Sequence, residues 1–539
     1  MTADMDSRLV IDSTVLLLYF VLIISIGLYM GRKEENLKDF ALGGRRIPWW
    51  AVFASLIAAE TSAGTFFGTP GEGFSHRDYT YLQLAFGTIL GRILVSYIFI
   101  KPYYDYNVYS IYEYLTARFG VPTKNAASAI FMITRVLASG ARLYAAAIAL
   151  VLAYEMIRGV QPGQKETLFI YVGSTAAIVI LTAIYTTFGG IKAVIWTDLI
   201  QASIMIGSAL IALALLYFAI PGGWHEIVQR HGAFQISDLI TTGLDPAKHG
   251  WDKIKSMFET EYTIFAGLIG AAFITMGTHG TDQDMVQRLL TAPDIRRSRR
   301  SLISSALADI PIAFTFLSIG LLLWVYYQAH PDPTLPKTPN ETFCHFILYQ
   351  MPVGLRGLLI AGIFATAMGS LSTAINALAT SFTRDWYEPY INPQSTEEQS
   401  LRAVRWATVW FSVLMIVVAS TTSYLVIVHP NVRIIPIVLG IFGYTYGSLL
   451  GVFLCGMFTK RRGNDFGNIL AMILGFITVA ILSGLPNQVA GIFGGRLYAQ
   501  PDWLPEIEFP WWIFFGTIVT FLVAILFKSR PHTVPETAQ

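Results

Sequence analysis

Charge is what this 539-residue chain has little of: 13% of its residues are Asp, Glu, Lys or Arg, against 54% that are hydrophobic. A soluble domain carries about 25% charged residues. One oversized soluble core does not explain the deficit, because single cores stop growing at about 250–300 residues. The charges present nearly cancel, 37 basic against 35 acidic, so no basic patch calls for nucleic acid. Cysteine is scarce too. Cys344 falls in an expected external loop and Cys455 near the cytoplasmic end of a helix, and a disulfide cannot bridge opposite faces. No Gly/Ser linker or low-complexity tract divides the chain, and the nine histidines show no haem-like or metal-like pairing. No Walker-type loop occurs, which excludes a nucleotide as the direct driver.

What the chain does have is a series of apolar runs of 20 or more residues, the length a helix needs to cross roughly 30 Å of hydrocarbon. They predict one all-α membrane domain of about 13 spans in the lipid bilayer, at 9–31, 48–70, 80–101, 125–156, 167–188, 192–219, 258–281, 301–328, 355–383, 402–427, 434–457, 467–485 and 509–528. The first run is too long for a signal-peptide core and its positive charges follow it, so it is expected to remain as a span. Basic residues cluster after the first span (Arg32, Lys33, Lys38, Arg45, Arg46), the seventh (Arg296, Arg297, Arg299, Arg300) and the eleventh (Lys460, Arg461, Arg462). Alternating spans put all three clusters on one side, the cytoplasm by the positive-inside rule. The expectation is a multi-pass cell-membrane protein with its N-terminus outside and its C-terminus, with Lys528 and Arg530, inside. Segments 220–256 and 329–352 are then external, and neither reads as an enzymatic domain.

Several spans carry groups that an inert anchor would not. Glu60, Arg92, Arg135, Arg142, Asp198 and Asp309 lie inside apolar runs, where an ionisable group costs about 2.5–3.5 kcal/mol and marks a pathway. The second span joins Ala58-Ala59-Glu60-Thr61-Ser62-Ala63-Gly64-Thr65 near its middle. A discontinuous helix there frees carbonyls for a cation; the bland alternative is a small-residue packing face with Glu60 in a buried hydrogen bond. In the ninth span Thr366, Ser370, Thr373, Asn376 and Thr380 form a stripe, with Gly369 and Ser372 adjoining. Hydroxyls are hard oxygen ligands suited to sodium, and small polar stripes are equally the glue between membrane helices. Asp198 lies roughly 9 Å deep at 1.5 Å per residue, and Lys192 is poorly spaced to pair with it. Arg135, Ser139 and Arg142 share one helix face, an arrangement that grips a carboxylate or neutralises Glu60 or Asp309. His279 reads first as a satisfied core histidine, Asp282 and Asp284 as solvated groups near the cytoplasmic surface, and Gln83 as either a helix–helix hydrogen bond or a solute contact.

The run Gly189-Gly190-Ile191-Lys192-Ala193-Val194-Ile195-Trp196-Thr197-Asp198-Leu199-Ile200-Gln201 resembles the signature of the sodium/solute symporter family. Asp282-Gln283 with Gln287-Arg288, and Ser370–Leu378 ending in Phe382-Thr383-Arg384-Asp385, resemble further family stretches, so that the likeness runs from about residue 10 to about 460. It implies a leucine-transporter-type five-plus-five inverted repeat. The divisions would be 1–47 (an extra helix and loop), 48–219 and 257–457 (the repeats), 220–256 (an external loop) and 458–539 (two C-terminal helices and a tail). It implies a shared sodium site at Ala58, Thr61, Thr366, Gly369 and Ser370, where Gly369 replaces the serine of many members. A second sodium site, described in some members, would use Asp198, Ser372 and Thr373. Solute positions carried over in the same way, or added as ionisable groups facing them, are Glu60, Thr65, Gln83, Arg135, Arg142, Thr278, His279 and Asp309. Thr278 stands where sugar carriers have an aromatic gate and Asp309 where they have a lysine, so the sugar pattern is not matched.

The expected function is sodium-coupled symport of a small organic solute by alternating access, anionic or zwitterionic ahead of neutral sugar. Sodium is the only metal implied, with no organic cofactor and no nucleotide. A proton-coupled or uncoupled carrier and a transporter-like sensor are the alternatives. An intramembrane enzyme would need a nucleophile, paired-acid or metal constellation, and none is coherent here.

Overall fold

The computed structural model describes residues 2–32, 36–158, 162–232, 235–428, 440–492, 495–497, 501, 505 and 507–529. Lys33, Arg530 and the start of the predicted eleventh span, 434–439, lie outside the described residues. Within them every regular element is helical, apart from an isolated backbone bridge between Arg462 and Lys528. The main helices are α1 (Thr2–Gly31), α2 (Trp49–Glu60), α3 (Ala63–His76), α4 (Gln83–Ile98), α5 (Val121–Arg158), α6 (Gln164–Ala219), α7 (Ala271–Gly280), α8 (Gln283–Leu290), α9 (Ile295–Ala329), α10 (Leu355–Phe382), α11 (Glu397–Val428), α12 (Ile441–Phe458), α13 (Asp465–Leu482) and α14 (Trp512–Leu526).

Among the described residues ten helices are long and apolar enough to cross a membrane, and α2 with α3, bent by 62° at their junction, makes an eleventh. Two further features reconcile this with thirteen spans. As a single rod the 56 residues of α6 would reach about 84 Å at 1.5 Å per residue, far more than one bilayer. The rod divides at Gly190 (φ 51, ψ −155). Only glycine takes that conformation without strain, and a Cβ there would stand 2.6 Å from the Phe40 carbonyl. Its neighbour Gly189 meets α1 at Gly31, where a Cβ would lie 1.9 Å from the Gly189 Cα. The second feature is the seventh segment, a π-helical turn Ala266–Gly270 running into α7. It stops at Thr281, and the chain restarts as α8 with Asp282 as its N-cap.

Thus α2/α3 and α7/α8 are both interrupted, five spans apart. Interruptions at corresponding places in two halves mark the binding site of inverted-repeat transporters. The basic segments share one face of the bundle. Arg45 donates to the Val108 carbonyl, the Ile47 amide to the Thr291 carbonyl, and Arg118 to the Gly456 and Thr459 carbonyls. At the other end Asp12 of α1 receives the Gly354 and Gly357 amides and Arg356, and the Tyr79 amide bonds the Asp238 carbonyl. Cys344 and Cys455 are both free and buried.

Candidate cation and solute site

The break in α2 has a local cause. Thr61 (φ −82, ψ 83) and Ser62 (φ −78, ψ 169) leave helical geometry. The Ser62 amide consequently bonds the Glu60 carbonyl at 3.0 Å, so the Ala58 carbonyl loses the amide a continuous helix would give it. Facing it on α10 is Gly369. The place of its missing side chain is ringed by oxygen: Gln201 Oε1 at 3.0 Å, the Ala58 carbonyl at 3.5 Å and Asp198 Oδ1 at 3.5 Å. Gln201 Oε1 and Asp198 Oδ1 are buried and accept no hydrogen bond. Most buried polar atoms of folded proteins have a partner, and here two acceptors without one face the same gap. Three oxygens from two helices, α2 and α6, converge on the α10 glycine without a donor, a cradle of hard ligands that sodium would fit.

Neighbouring groups hold the cradle open. Asp198 Oδ2 accepts from the Ser55 hydroxyl at 2.6 Å and lies 3.7 Å from the Arg288 guanidinium, which is itself bound to Asp284 at 2.7 Å and to Ser55 at 3.0 Å. The partner of Asp198 is therefore Arg288, not Lys192. The α10 hydroxyls turn back on their own helix: Ser372 and Thr373 each donate to the Gly369 carbonyl at 3.1 Å, Ser370 to Thr366 O at 3.1 Å, and Thr366 to Ile363 O at 2.7 Å. Their lone pairs remain available. Thr61 is buried at the end of α2.

Beside the cradle a cavity of about 180 Å³ opens between the two breaks. Its walls include Ala59, Glu60 and Ser62 from the first break, Thr278, His279 and Asp282 from the second, Arg135, Ser139 and Arg142 from α5, Ser370 from α10 and Phe442 from α12. The two arginines differ. Arg135 is committed: it bonds Asp282, which the Tyr446 hydroxyl also reaches, and pairs with Asp284 at 3.0 Å. Asp282 and Asp284, expected as solvated surface groups, are instead buried, because the chain restarts as α8 inside the bundle. Arg142 has no carboxylate partner among the described residues, and its guanidinium lies over the Phe442 ring at 4.5 Å.

Glu60 is neutralised by neither α5 arginine. It bonds Arg92 of α4, which also binds Asp309 of α9 at 2.5 Å, and its other oxygen meets His279 Nε2 at 2.9 Å. The opposite His279 nitrogen faces the Thr278 hydroxyl at 2.9 Å. Of the expected solute residues, the cavity brings together Glu60, Arg135, Arg142, Thr278 and His279. Asp309 lies outside the lining, behind Arg92 and Glu60, and Thr65 lies one turn into α3, also outside it. Gln83 is fully buried, donating to the Thr80 and Tyr262 carbonyls and accepting from the Thr241 amide.

Formal charges do not balance in three places. Arg135 and Arg288 face Asp282, Asp284 and Asp198, one negative charge in excess. Arg92 faces Glu60 and Asp309, again one negative in excess. Arg142 is one positive charge without a partner. Buried charge requires compensation, by a proton, an ion or a solute group.

Two helices interrupted at matching places, with a cation cradle and a charged cavity between them, define a secondary transporter of the inverted-repeat class. The comparisons give the family. The sodium:solute symporter model matches residues 40–475, and the chain belongs to that family. It is 30% identical over 492 residues to the sodium/sialic acid symporter SiaT of Proteus mirabilis (strain HI4320), covering 90% of this chain and 92% of that one. It is also 30% identical over 463 residues to the sodium/sialic acid symporter NanT of Aliivibrio fischeri (strain ATCC 700601 / ES114), covering 86% and 85%. A substrate-bound, outward-open Na+-coupled sialic acid symporter with a novel Na+ site superposes with a TM-score of 0.77 at 27% identity, covering 96% of this chain and 97% of that one.

Sequence reasoning passed over Arg288, Gln201 and Phe442. Gln201 closes the Gly189–Gln201 signature, four residues and hence one turn after Asp198, a spacing that sets two side chains on one face. Arg288 stood in the Gln287-Arg288 stretch with no role assigned to it, and Phe442 gave no local signal.

Proposed function

We propose that this protein moves a small carboxylate-bearing solute across the membrane with sodium, by alternating access. The observation that carries the reading is the convergence of the Ala58, Asp198 and Gln201 oxygens on Gly369, two of them buried without a donor. Sodium binds there and at the α10 hydroxyls of Ser370 and Thr366, bridging α2 to α10 and α6 and fixing the wall of the solute cavity. Asp198 also reaches toward a second ion at Ser372 and Thr373, so that one carboxylate serves both ions. The solute carboxylate lies on Arg142, the cavity's one cation without a carboxylate partner among the described residues. Both sialic acid relatives carry an acid with sodium. The basic face of the bundle is cytoplasmic by the positive-inside rule, which leaves the N-terminus outside. The membrane potential adds about 2.3 kcal/mol per charge per 100 mV to the sodium concentration gradient.

The test is uptake into proteoliposomes holding the purified protein. An inward sodium gradient should drive accumulation of a radiolabelled carboxylate above equilibrium, and choline in place of sodium should abolish it. Equal uptake in choline, or uptake driven by a proton gradient alone, would refute sodium coupling.

A further inference from the structure

The cavity sets a carboxylate, Glu60, and a guanidinium without a carboxylate partner among the described residues, Arg142, on different walls. On one wall Glu60 and Asp309 share a single guanidinium: both carboxylates reach Arg92 Nη2, while Nη1 donates to the Ser305 hydroxyl at 2.7 Å. No other Lys or Arg among the described residues pairs with either carboxylate. The remaining neighbours of Glu60 are His279 and, through it, Thr278, and both line the cavity with Glu60. On α5 stands Arg142, lodged against Phe442. Arg142 and Glu60 do not pair with each other.

A plain carboxylate would satisfy Arg142 and face the Glu60 carboxylate across the cavity. A neutral polyol would leave both charges unanswered. From this we infer that the transported solute is a compact zwitterion, a carboxylate carrying an ammonium or quaternary ammonium group. Its carboxylate sits on Arg142 and its cationic group against Glu60 and the Thr278–His279 edge. The inference rests on the symporter reading of the same cavity. It adds a second recognition element, Glu60, whose charge selects against plain acids. Phe442, already under the Arg142 guanidinium at 4.5 Å, supplies an aromatic face beside it. Asp309 acts at one remove, competing with Glu60 for the same Arg92 nitrogen, and is a positioning residue.

The experiment uses the full-length protein in nanodiscs and a panel of zwitterionic amino acids. Each is set beside its desamino carboxylate and its decarboxylated amine, with binding read by intrinsic tryptophan fluorescence in sodium and in choline. At least one zwitterion should bind in sodium tenfold or more tighter than either of its halves. Glu60→Gln should bring that ratio to near one by weakening the zwitterion, while the desamino acid still binds, which also shows that the variant folds. Asp309→Asn, outside the cavity lining, should move the ratio the same way by a smaller factor, and serves where Glu60→Gln does not accumulate. Desamino acids that bind wild type as tightly as the zwitterions, with sodium still required, overturn the zwitterion assignment and leave the symporter reading standing. An unchanged ratio in both variants overturns the role of Glu60. Absence of ²²Na+ binding to the wild-type protein overturns both readings.

Discussion

Replacing Asp198 by Asn removes one negative charge from the cation cradle and almost nothing else. The side chain keeps its shape, and an amide oxygen can still occupy the position of Oδ1, beside Gln201 Oε1 and the Ala58 carbonyl. At about 4 Å, with an effective dielectric constant near 20, a unit charge pair is worth about 4 kcal/mol. At about 1.4 kcal/mol per decade, sodium affinity should fall roughly 100- to 1,000-fold. Two costs to folding accompany the change. The Ser55 hydroxyl loses an acceptor, about 1 kcal/mol. Arg288 loses a counter-charge at 3.7 Å but keeps Asp284 at 2.7 Å, so the protein should still fold. The assay is equilibrium ²²Na+ binding to purified protein without solute, with the thermal midpoint measured in parallel. Wild type should show a sigmoidal sodium dependence from two ions, and the variant a slope near one at a much higher midpoint. A folded variant whose sodium midpoint lies within threefold of wild type would refute the placement of the cation at Asp198.

Four further outcomes are expected. Ser370→Ala should raise half-saturating sodium about tenfold, the loss of one oxygen contact to a charged partner, with solute affinity at saturating sodium little changed; the reverse pattern would assign Ser370 to the solute. Arg135→Gln leaves Asp282 and Asp284 short of a cation and should cost about 3–5 kcal/mol, read as a large fall in thermal midpoint. Arg142→Gln, which breaks no ion pair, should fold normally and lose carboxylate binding by tenfold or more. With Cys344 and Cys455 replaced, a cysteine at Thr2 should react with an impermeant thiol reagent applied to intact cells, and labelling from the cytoplasm alone would reverse the proposed orientation.

The spans were legible because a bilayer demands long apolar runs, and the breaks were legible because Glu60 and the glycine–hydroxyl run cannot belong to an inert helix. Asp198 stood out for the same reason, a charge too deep to be solvated. Its partner did not: Arg288 lies 90 residues away, beyond a break that turns a segment with surface composition into the interior. Asp282 and Asp284 were misread on that account, since hydropathy has no means of burying the hydrophilic helix α8. Arg135 and Arg142 look equivalent at their helical spacing. Only the fold shows one committed to the α8 carboxylates and the other facing the cavity. Gly369 read as a lost ligand, and in three dimensions it is the gap into which the Gln201 oxygen points.

The divide in α6 at Gly190 turns the second half of that helix into a lever. Asp198 sits eight residues beyond the pivot, about 12 Å along the axis at 1.5 Å per residue. A tilt of about 5° there swings its carboxylate by about 1 Å, several times the roughly 0.2 Å tolerance of metal–oxygen distances. The pivot is also where α1 is seated, Gly31 against Gly189, so the extra N-terminal helix bears on the fulcrum. A cation held at Asp198 would therefore register the angle at Gly190, and a bend of the helix at the basic face would loosen it.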